Sequence, residues 1–381
     1  MATRAHFNHA GMSLTPAVAL DRMRAHLLLE AEIGGYEAAA VVADELALVP
    51  AGLAPLFGAG VGADEVTVVE SATRAWEVIL WSMAESFGYG PGDRVLVDQF
   101  TYATVHSGLM ALRAARGITI DVAPARDDGA VDPDGLAAAL DDATRLVAIT
   151  HMPTHVGTVS DVDAVGATLA GHDAVYALDV AQTLGQLPID VGAIGCQVAF
   201  APGRKFLRAP RGTGALYVAA PLADHLVPLT PGLGAVGPDG RRPFALAPGA
   251  RRFDSFEADH AARLGLGESA RVATTIGLDT IARLVGQRST DVSALLGALD
   301  GVRLLDPDAV GIVSFVHDRL EPDAVRDQLV SQGVNVWVNP AGASPIDGDR
   351  REVLPSVRVS PHYLTDDDDL DRLDRALAAL A

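Results

Sequence analysis

Of the 29 basic residues in this chain, Lys205 alone is a lysine; the rest are arginines. A chain that uses Arg wherever a positive charge suffices keeps Lys where a guanidinium cannot serve, as when an amine must lose its proton and attack a carbonyl. Codon bias also depletes Lys, so the surroundings carry the weight. Residues Phe200 to Gly214 form a Gly- and Pro-punctuated loop between two apolar runs, the kind of connection that displays reactive groups. Lys205 is therefore read as a Schiff-base lysine. Asp179 closes the apolar run Val175 to Leu178 one strand-helix step earlier. A carboxylate there is placed to pair with a pyridinium nitrogen and keep it protonated, and equally placed to cap a helix. Gln182, three residues on, can donate to a ring phenolate. Glu70-Ser71-Ala72-Thr73-Arg74 follows another apolar run and opens a helix carrying Trp76, Ile79 and Leu80, so its free N–H groups offer an anion site.

The elements that position these residues are legible as a pattern. Short apolar runs at Val66 to Val69, Arg94 to Val97, Ile118 to Val122, Leu146 to Thr150, Val175 to Leu178, Gln197 to Phe200 and Gly214 to Val218 alternate with helix-length amphipathic stretches. That alternation predicts a mainly parallel α/β sheet with ligands beyond the carboxyl ends of its strands. The stretch Pro231 to Ala250 reads as a long loop. Beyond it the pattern predicts a helix around Ala258 to Leu284, a strand over Ile312 to Val316, a helix over Pro322 to Gln332, and strands over Val334 to Val338 and up to Val359. The last helix is expected to start under the hydroxyl of Thr365, with Asp366 to Asp369 at its positive end and Leu370, Leu373, Leu377 and Leu380 on one face. The acidic run is thus a helix start, and no metal site is expected.

A chain of 381 residues with 49% hydrophobic content exceeds one compact core. The expected division is an N-terminal arm over 1–22, a large domain over 23–250 and a small C-terminal domain over 251–381. A net charge of −20 opposes binding to nucleic acid or an anionic membrane and favours a small-molecule partner. No run approaches the roughly 20 apolar residues of a membrane span, and the first residues lack a signal-peptide pattern, so a cytoplasmic location is expected. The single cysteine, Cys196, agrees with a reducing compartment and reads as a small buried residue.

The Asp-x-x-Gln motif at Asp179, the Gly-Arg-Lys-Phe-Leu-Arg-Ala-Pro-Arg-Gly-Thr-Gly run at Gly203 and the Val-Arg-Val-Ser-Pro-His-Tyr-Leu-Thr segment at Val357 together resemble the class V aminotransferase-like pyridoxal-phosphate enzymes. That group includes cysteine desulfurases, isopenicillin N epimerase and the C–S lyase of ergothioneine biosynthesis. The resemblance covers nearly the whole chain. It implies the type I fold, with a mainly parallel seven-stranded sheet and a smaller α+β domain, and pyridoxal 5'-phosphate as cofactor. It also implies that Lys205 carries the cofactor, Asp179 pairs with its ring nitrogen, and Gln182 contacts the ring oxygen. Ala72 and Thr73 would hold the phosphate, Arg204 would join the cofactor contacts, and Arg358 would take the substrate carboxylate. Tyr102, or Ala103 if the register slips by one, would stack on the ring. Where many relatives have Asn, Thr154 or His155 takes its place, and Pro202 stands where a hydroxyl residue is common. A homodimer is implied, with Arg252 to Glu257 the candidate segment donated by the second subunit.

Desulfurases of this group need a mobile cysteine in the C-terminal domain, and the corresponding stretch, Val338 to Arg351, has none. The run Gly333 to Val338 looks closest to the branch of the ergothioneine lyase, some of whose members process S-cysteinyl conjugates in natural-product pathways, lincosamides among them. The expected reaction is β-elimination of a thiol from an S-substituted cysteine amino acid. Transamination, epimerisation and decarboxylation-coupled oxidative deamination on the same cofactor are the alternatives.

Overall fold

Thirteen strands form three sheets in a computed structural model that describes residues 4–233, 246–306 and 308–380. They are β1 (Ala5–His6), β2 (Val66–Val69), β3 (Arg94–Val97), β4 (Thr119–Val122), β5 (Thr144–Thr150), β6 (Val175–Asp179), β7 (Val198–Pro202), β8 (Gly214–Val218), β9 (Val302–Leu304), β10 (Val313–His317), β11 (Val334–Asn335), β12 (Trp337–Asn339) and β13 (Ser356–Val359).

The large sheet has the order β2-β8-β7-β6-β5-β3-β4, with β8 alone running against the rest. Its central strands are mostly apolar because both faces are covered. Val68, Leu96, Val147, Ile149, Tyr176 and Leu178 point into one core, which also receives Leu53, Val165 and Leu169. Val69, Val95, Val97, Leu146, Ala148 and Ala177 point the other way, against Trp76, Ile79 and Leu80 of helix Ala72–Ser86 and Leu109 and Leu112 of helix Ala103–Arg116. The seven expected strands and the mainly parallel order are present.

The small sheet, β12-β13-β10-β9, is antiparallel. Helices Leu278–Gly297, Pro322–Ser331 and Asp367–Ala378 supply its core through Val292, Leu296, Val325, Leu329, Leu373 and Leu377. The expected single helix after the long loop is instead two, His260–Ile276 and Leu278–Gly297, because Gly277 adopts φ 87° and breaks the ladder between them. Leu266, Ala270 and Ala273 belong to the large-sheet core, as do Ile281 and Val285, whereas Val292 and Leu296 belong to the small one. The handover of cores falls inside helix Leu278–Gly297, later than residue 250.

Two further local expectations are corrected. The run Val334 to Val338 is split: β11 pairs with β1 of the N-terminal arm, and β12 joins the small sheet. The last helix is capped by Asp366, whose carboxylate accepts from Asp369 N–H in a reciprocal box, while the Thr365 hydroxyl accepts from His362 N–H. Part of the Pro231 to Ala250 loop lies outside the described residues.

Candidate active site

The carboxyl ends of β5, β6 and β7 converge, since Thr150 pairs with Asp179 and Asp179 with Phe200. Beyond these ends lies a cavity of about 490 Å³, within the usual size for a small-ligand site. Of the residues expected in the site, Ala72, Thr73, Tyr102, Thr154, Asp179, Gln182, Arg204 and Lys205 line it.

Lys205 sits three residues past the end of β7 in a tightly folded loop. Gly203 N–H donates to Thr213 O (2.8 Å), Ala209 N–H to Gly203 O (2.8 Å) and Arg208 N–H to Lys205 O (2.9 Å). A Cβ on Gly203 would stand 2.5 Å from Thr213 Oγ1, so glycine is required where the loop doubles back. Arg208 takes φ 65°, an unfavourable region for a side-chain-bearing residue. It is held there by Nε donating to Leu14 O (2.8 Å) and Nη1 to the Tyr363 hydroxyl (2.5 Å). Burial pushes the Lys205 ammonium down to about 7, against the opposing pull of Asp179, and burial raises the Asp179 carboxyl against the pull of Lys205. One Asp179 oxygen also accepts from Ala181 N–H (2.8 Å), so the local turn cap and the electrostatic partnership coexist.

Arg358 lies on β13 between Val357 and Val359, and the two-residue period of the strand sends those valines into the core and Arg358 to the opposite face. Its Nη1 donates to Thr154 O (2.8 Å) and Thr154 Oγ1 (3.0 Å), and Nη2 donates to Asn8 Oδ1 (3.1 Å). Burial lowers the guanidinium to about 9. Gln182 Nε2 donates to the same Thr154 hydroxyl (3.0 Å), which ties the β6 end to the small-domain arginine. The Tyr102 ring centroid is 5.9 Å from Lys205 Nζ, placing Tyr102 rather than Ala103 over the lysine.

His155 turns away from the cavity. Its Nε2 is 2.6 Å from Asp347 Oδ2 on helix Pro345–Arg351, where Gln99 and Arg351 also donate to the carboxylate. Thr154 and not His155 occupies the position at the cavity, because the buried Asp347 captures the imidazole. Sequence reasoning missed Asn8 and Asp98. The N-terminal arm carries Asn8 to Arg358, and Ser13 N–H donates to Arg204 O (2.9 Å). Asp98 is buried past β3 and accepts from Thr150 N–H (2.7 Å) and the Thr101 hydroxyl (2.8 Å), bracing the Tyr102 loop against β5. Burial pushes its carboxyl up to about 7, and the Asp179 charge adds to that rise. An Asp at a strand end and an Asn in an arm carry no local signal of these long-range contacts.

The sequence pattern of the class-V aminotransferases matches residues 6–373, and the chain belongs to that family. It is 28% identical over 324 residues to a probable cysteine desulfurase of Methanothermobacter thermautotrophicus, covering 84% of this chain and 80% of that protein. It is also 28% identical over 384 residues to a probable hercynylcysteine sulfoxide lyase of Mycobacterium tuberculosis, covering 98% of this chain and 89% of that one. A mutant of C-DES with glycine covalently linked to its PLP cofactor superposes with a TM-score of 0.88 at 24% identity, covering 99% of this chain and 97% of the other. The cystine C–S lyase C-DES with its product cysteine persulfide gives 0.87 at 24% identity, covering 99% and 98%. The fold is therefore the type I pyridoxal-phosphate fold, the cofactor is pyridoxal phosphate, and the enzyme's relatives break C–S bonds.

The residues present fit that group. Arg358 Nε is buried without a partner next to Thr154 at the cavity, and Gln182, whose Oε1 is also unpartnered, can donate to a ring oxygen with its amide turned so that Oε1 accepts from the Thr154 hydroxyl. The first turn of helix Ala72–Ser86, capped by the Ser71 hydroxyl accepting from Arg74 N–H (3.1 Å), opens on the cavity as an anion-binding end.

Proposed function

We propose that the protein is a C–S β-lyase that acts on an S-substituted cysteine and releases the sulfur substituent as a thiol, with no protein thiol accepting sulfur. The carrying observation is the place of the only cysteine. Cys196 is buried before the amino end of β7, while Lys205 lies beyond its carboxyl end, roughly 20 Å away by the rise of a strand. Burial also pushes the Cys196 thiol up to about 12. A relay of sulfur to a protein thiolate has no accepting cysteine here. The stretch that would carry a mobile cysteine is instead docked on the large domain through Asp347. The likeness to the sulfoxide lyase over 98% of the chain supports the same reading.

Pyridoxal phosphate, when bound, supplies the electron sink that labilises the α-proton of a bound amino acid and the bond to its β-substituent. The N-terminal turn at Ala72 and Thr73 would hold its phosphate, Asp179 would keep a ring nitrogen protonated, and Gln182, Arg204 and Tyr102 would hold the ring. Arg358, whose Nε has no partner, would receive the substrate carboxylate. Lys205, whose burial disfavours the ammonium form, is the group placed to take the α-proton.

The test is product analysis with an S-alkyl cysteine. Thiol, pyruvate and ammonia should form in equal amounts over many turnovers without any keto acid. Strict dependence on an added keto acid makes the enzyme a transaminase, and stoichiometric loss of carbon dioxide makes it a decarboxylating deaminase; either result ends the lyase reading.

The working unit is proposed to be a homodimer. Exposed apolar side chains on the N-terminal helices, Leu27, Leu28, Tyr36, Val41 and Leu48, support an interface there. Of the segment expected to reach a second subunit, Arg252 and Phe253 are committed within their own chain, Arg252 donating to Leu226 O (2.9 Å) and Gly249 O (3.1 Å). Phe256, 51% exposed, and Glu257 are left to make the contact. A sedimenting monomer that is fully active refutes the dimer.

A further inference from the structure

Helix Ala17–Ile33 packs along helix His260–Ile276, and at one point of this seam three metal-ligating side chains converge. His26 and Glu30 stand one turn apart on the first helix, and His260 is the first residue of the second. A ligand atom from each lies within 4.8 Å of the other two. His26 is completely buried, yet neither ring nitrogen makes a hydrogen bond. That is an unusual state, because buried polar side chains in native proteins are nearly always partnered.

The spacing explains what the imidazole faces. His26 Nε2 is 3.1 Å from Glu30 Oε1 but lacks the alignment of a hydrogen bond. Two ligand atoms bound to one ion at roughly 2.0 to 2.2 Å stand roughly 3 to 3.5 Å apart, so this pair already has the bite of a metal site. The His260 ring is 6.1 Å from that of His26 by centroids and tilted by 60°, so the two rings are not stacked and a nitrogen of each can turn to a common point. Two imidazoles with one carboxylate suit zinc and its neighbours in the first transition row, while calcium and magnesium take oxygen ligands. None of the three residues lines the Lys205 cavity.

We propose that His26, Glu30 and His260 bind one divalent transition-metal ion, with water completing the coordination, and that the ion staples the N-terminal helix to the helix after the long loop. Such an ion binds the folded chain and not the unfolded one, because the ligands come from distant parts of the sequence.

Chelator-treated holoenzyme titrated with Co²⁺ tests the site. One Co²⁺ per chain should bind with a visible d–d absorption, Zn²⁺ should abolish that absorption by displacement, and Zn²⁺ should raise the melting temperature. Glu30→Gln is isosteric at a half-exposed position and leaves packing intact. It should weaken Co²⁺ binding by more than the ~10- to 100-fold that loss of an outer-shell partner costs. His260→Ala should do the same. Wild-type protein that takes up no stoichiometric Co²⁺, or variants that bind it as tightly as wild type, overturns the proposal.

Discussion

Lys205 and Asp179 restrain each other's response to burial. Desolvation favours the neutral form of each, and the charge of each favours the ionised form of the other. Replacing Asp179 by Asn removes the group that holds a ring nitrogen protonated while preserving shape and the bond from Ala181. Exchange of the substrate α-proton with solvent deuterium, followed by NMR, should slow by ~10² or more in Asp179→Asn, the scale of a lost acid-base contribution. Exchange at the wild-type rate would remove Asp179 from the site. Lys205 was legible because it is the lone lysine, set in a glycine-rich loop, and Asp179 because of its Asp-x-x-Gln motif ahead of that lysine, since an Asp at a strand end is by itself equally a helix cap. His155 misled because its neighbour Thr154 faces the cavity while its own ring is drawn to Asp347, far along the chain. Asn8 and Asp98 were invisible for the same reason, since their roles exist only in contacts with Arg358 and with Thr150.

At the scale of elements, the N-terminal arm is held by a cluster of histidines, His9 stacked on His362 and edge-on to His6. His9 lies 4.6 Å from His362 and 4.7 Å from His6 by ring centroids, and His362 is bonded to Phe206 O (3.1 Å), next to Lys205. His9 is bonded to the Ser13 hydroxyl (2.6 Å) and His6 to Met12 O (2.9 Å). Burial lowers all three: His362 to about 3 against the opposing bond to Phe206 O, His9 well down, and His6 against the opposing bond to Met12 O and the pull of Asp369. The unfolded or detached arm therefore binds protons that the seated arm refuses. Stability should be full above the ordinary histidine value near 6.5 and should fall as pH drops below it. Limited proteolysis should cut residues 5–16 faster at pH 5 than at pH 7.5, and His362→Gln should flatten that dependence. Equal cleavage at both pH values would show the stack does not hold the arm. The seven strands of the large sheet were readable because burial on both faces makes them continuous apolar runs. The break at Gly277 and the division of Val334 to Val338 between two sheets were not, since a glycine in a helical pattern and a continuous apolar run each admit an unbroken reading.

Over the whole molecule, the fold places the one lysine at the cavity beyond the carboxyl ends of the strands and the only thiol at the amino end of the same sheet. The sheet class and the family motifs were legible along the chain. The handover of cores within helix Leu278–Gly297 was not, because only packing assigns Ile281 and Val285 to one core and Val292 and Leu296 to the other. A chain with a single lysine also allows a direct test on the intact protein. Borohydride converts a lysine-bound pyridoxal phosphate into a stable secondary amine. Intact-mass measurement after reduction should show one cofactor added per chain, and peptide mapping should put it on Lys205. A reduced protein with no added mass, or with the cofactor on the N-terminal amine, would contradict the assignment of Lys205 as the reactive amine.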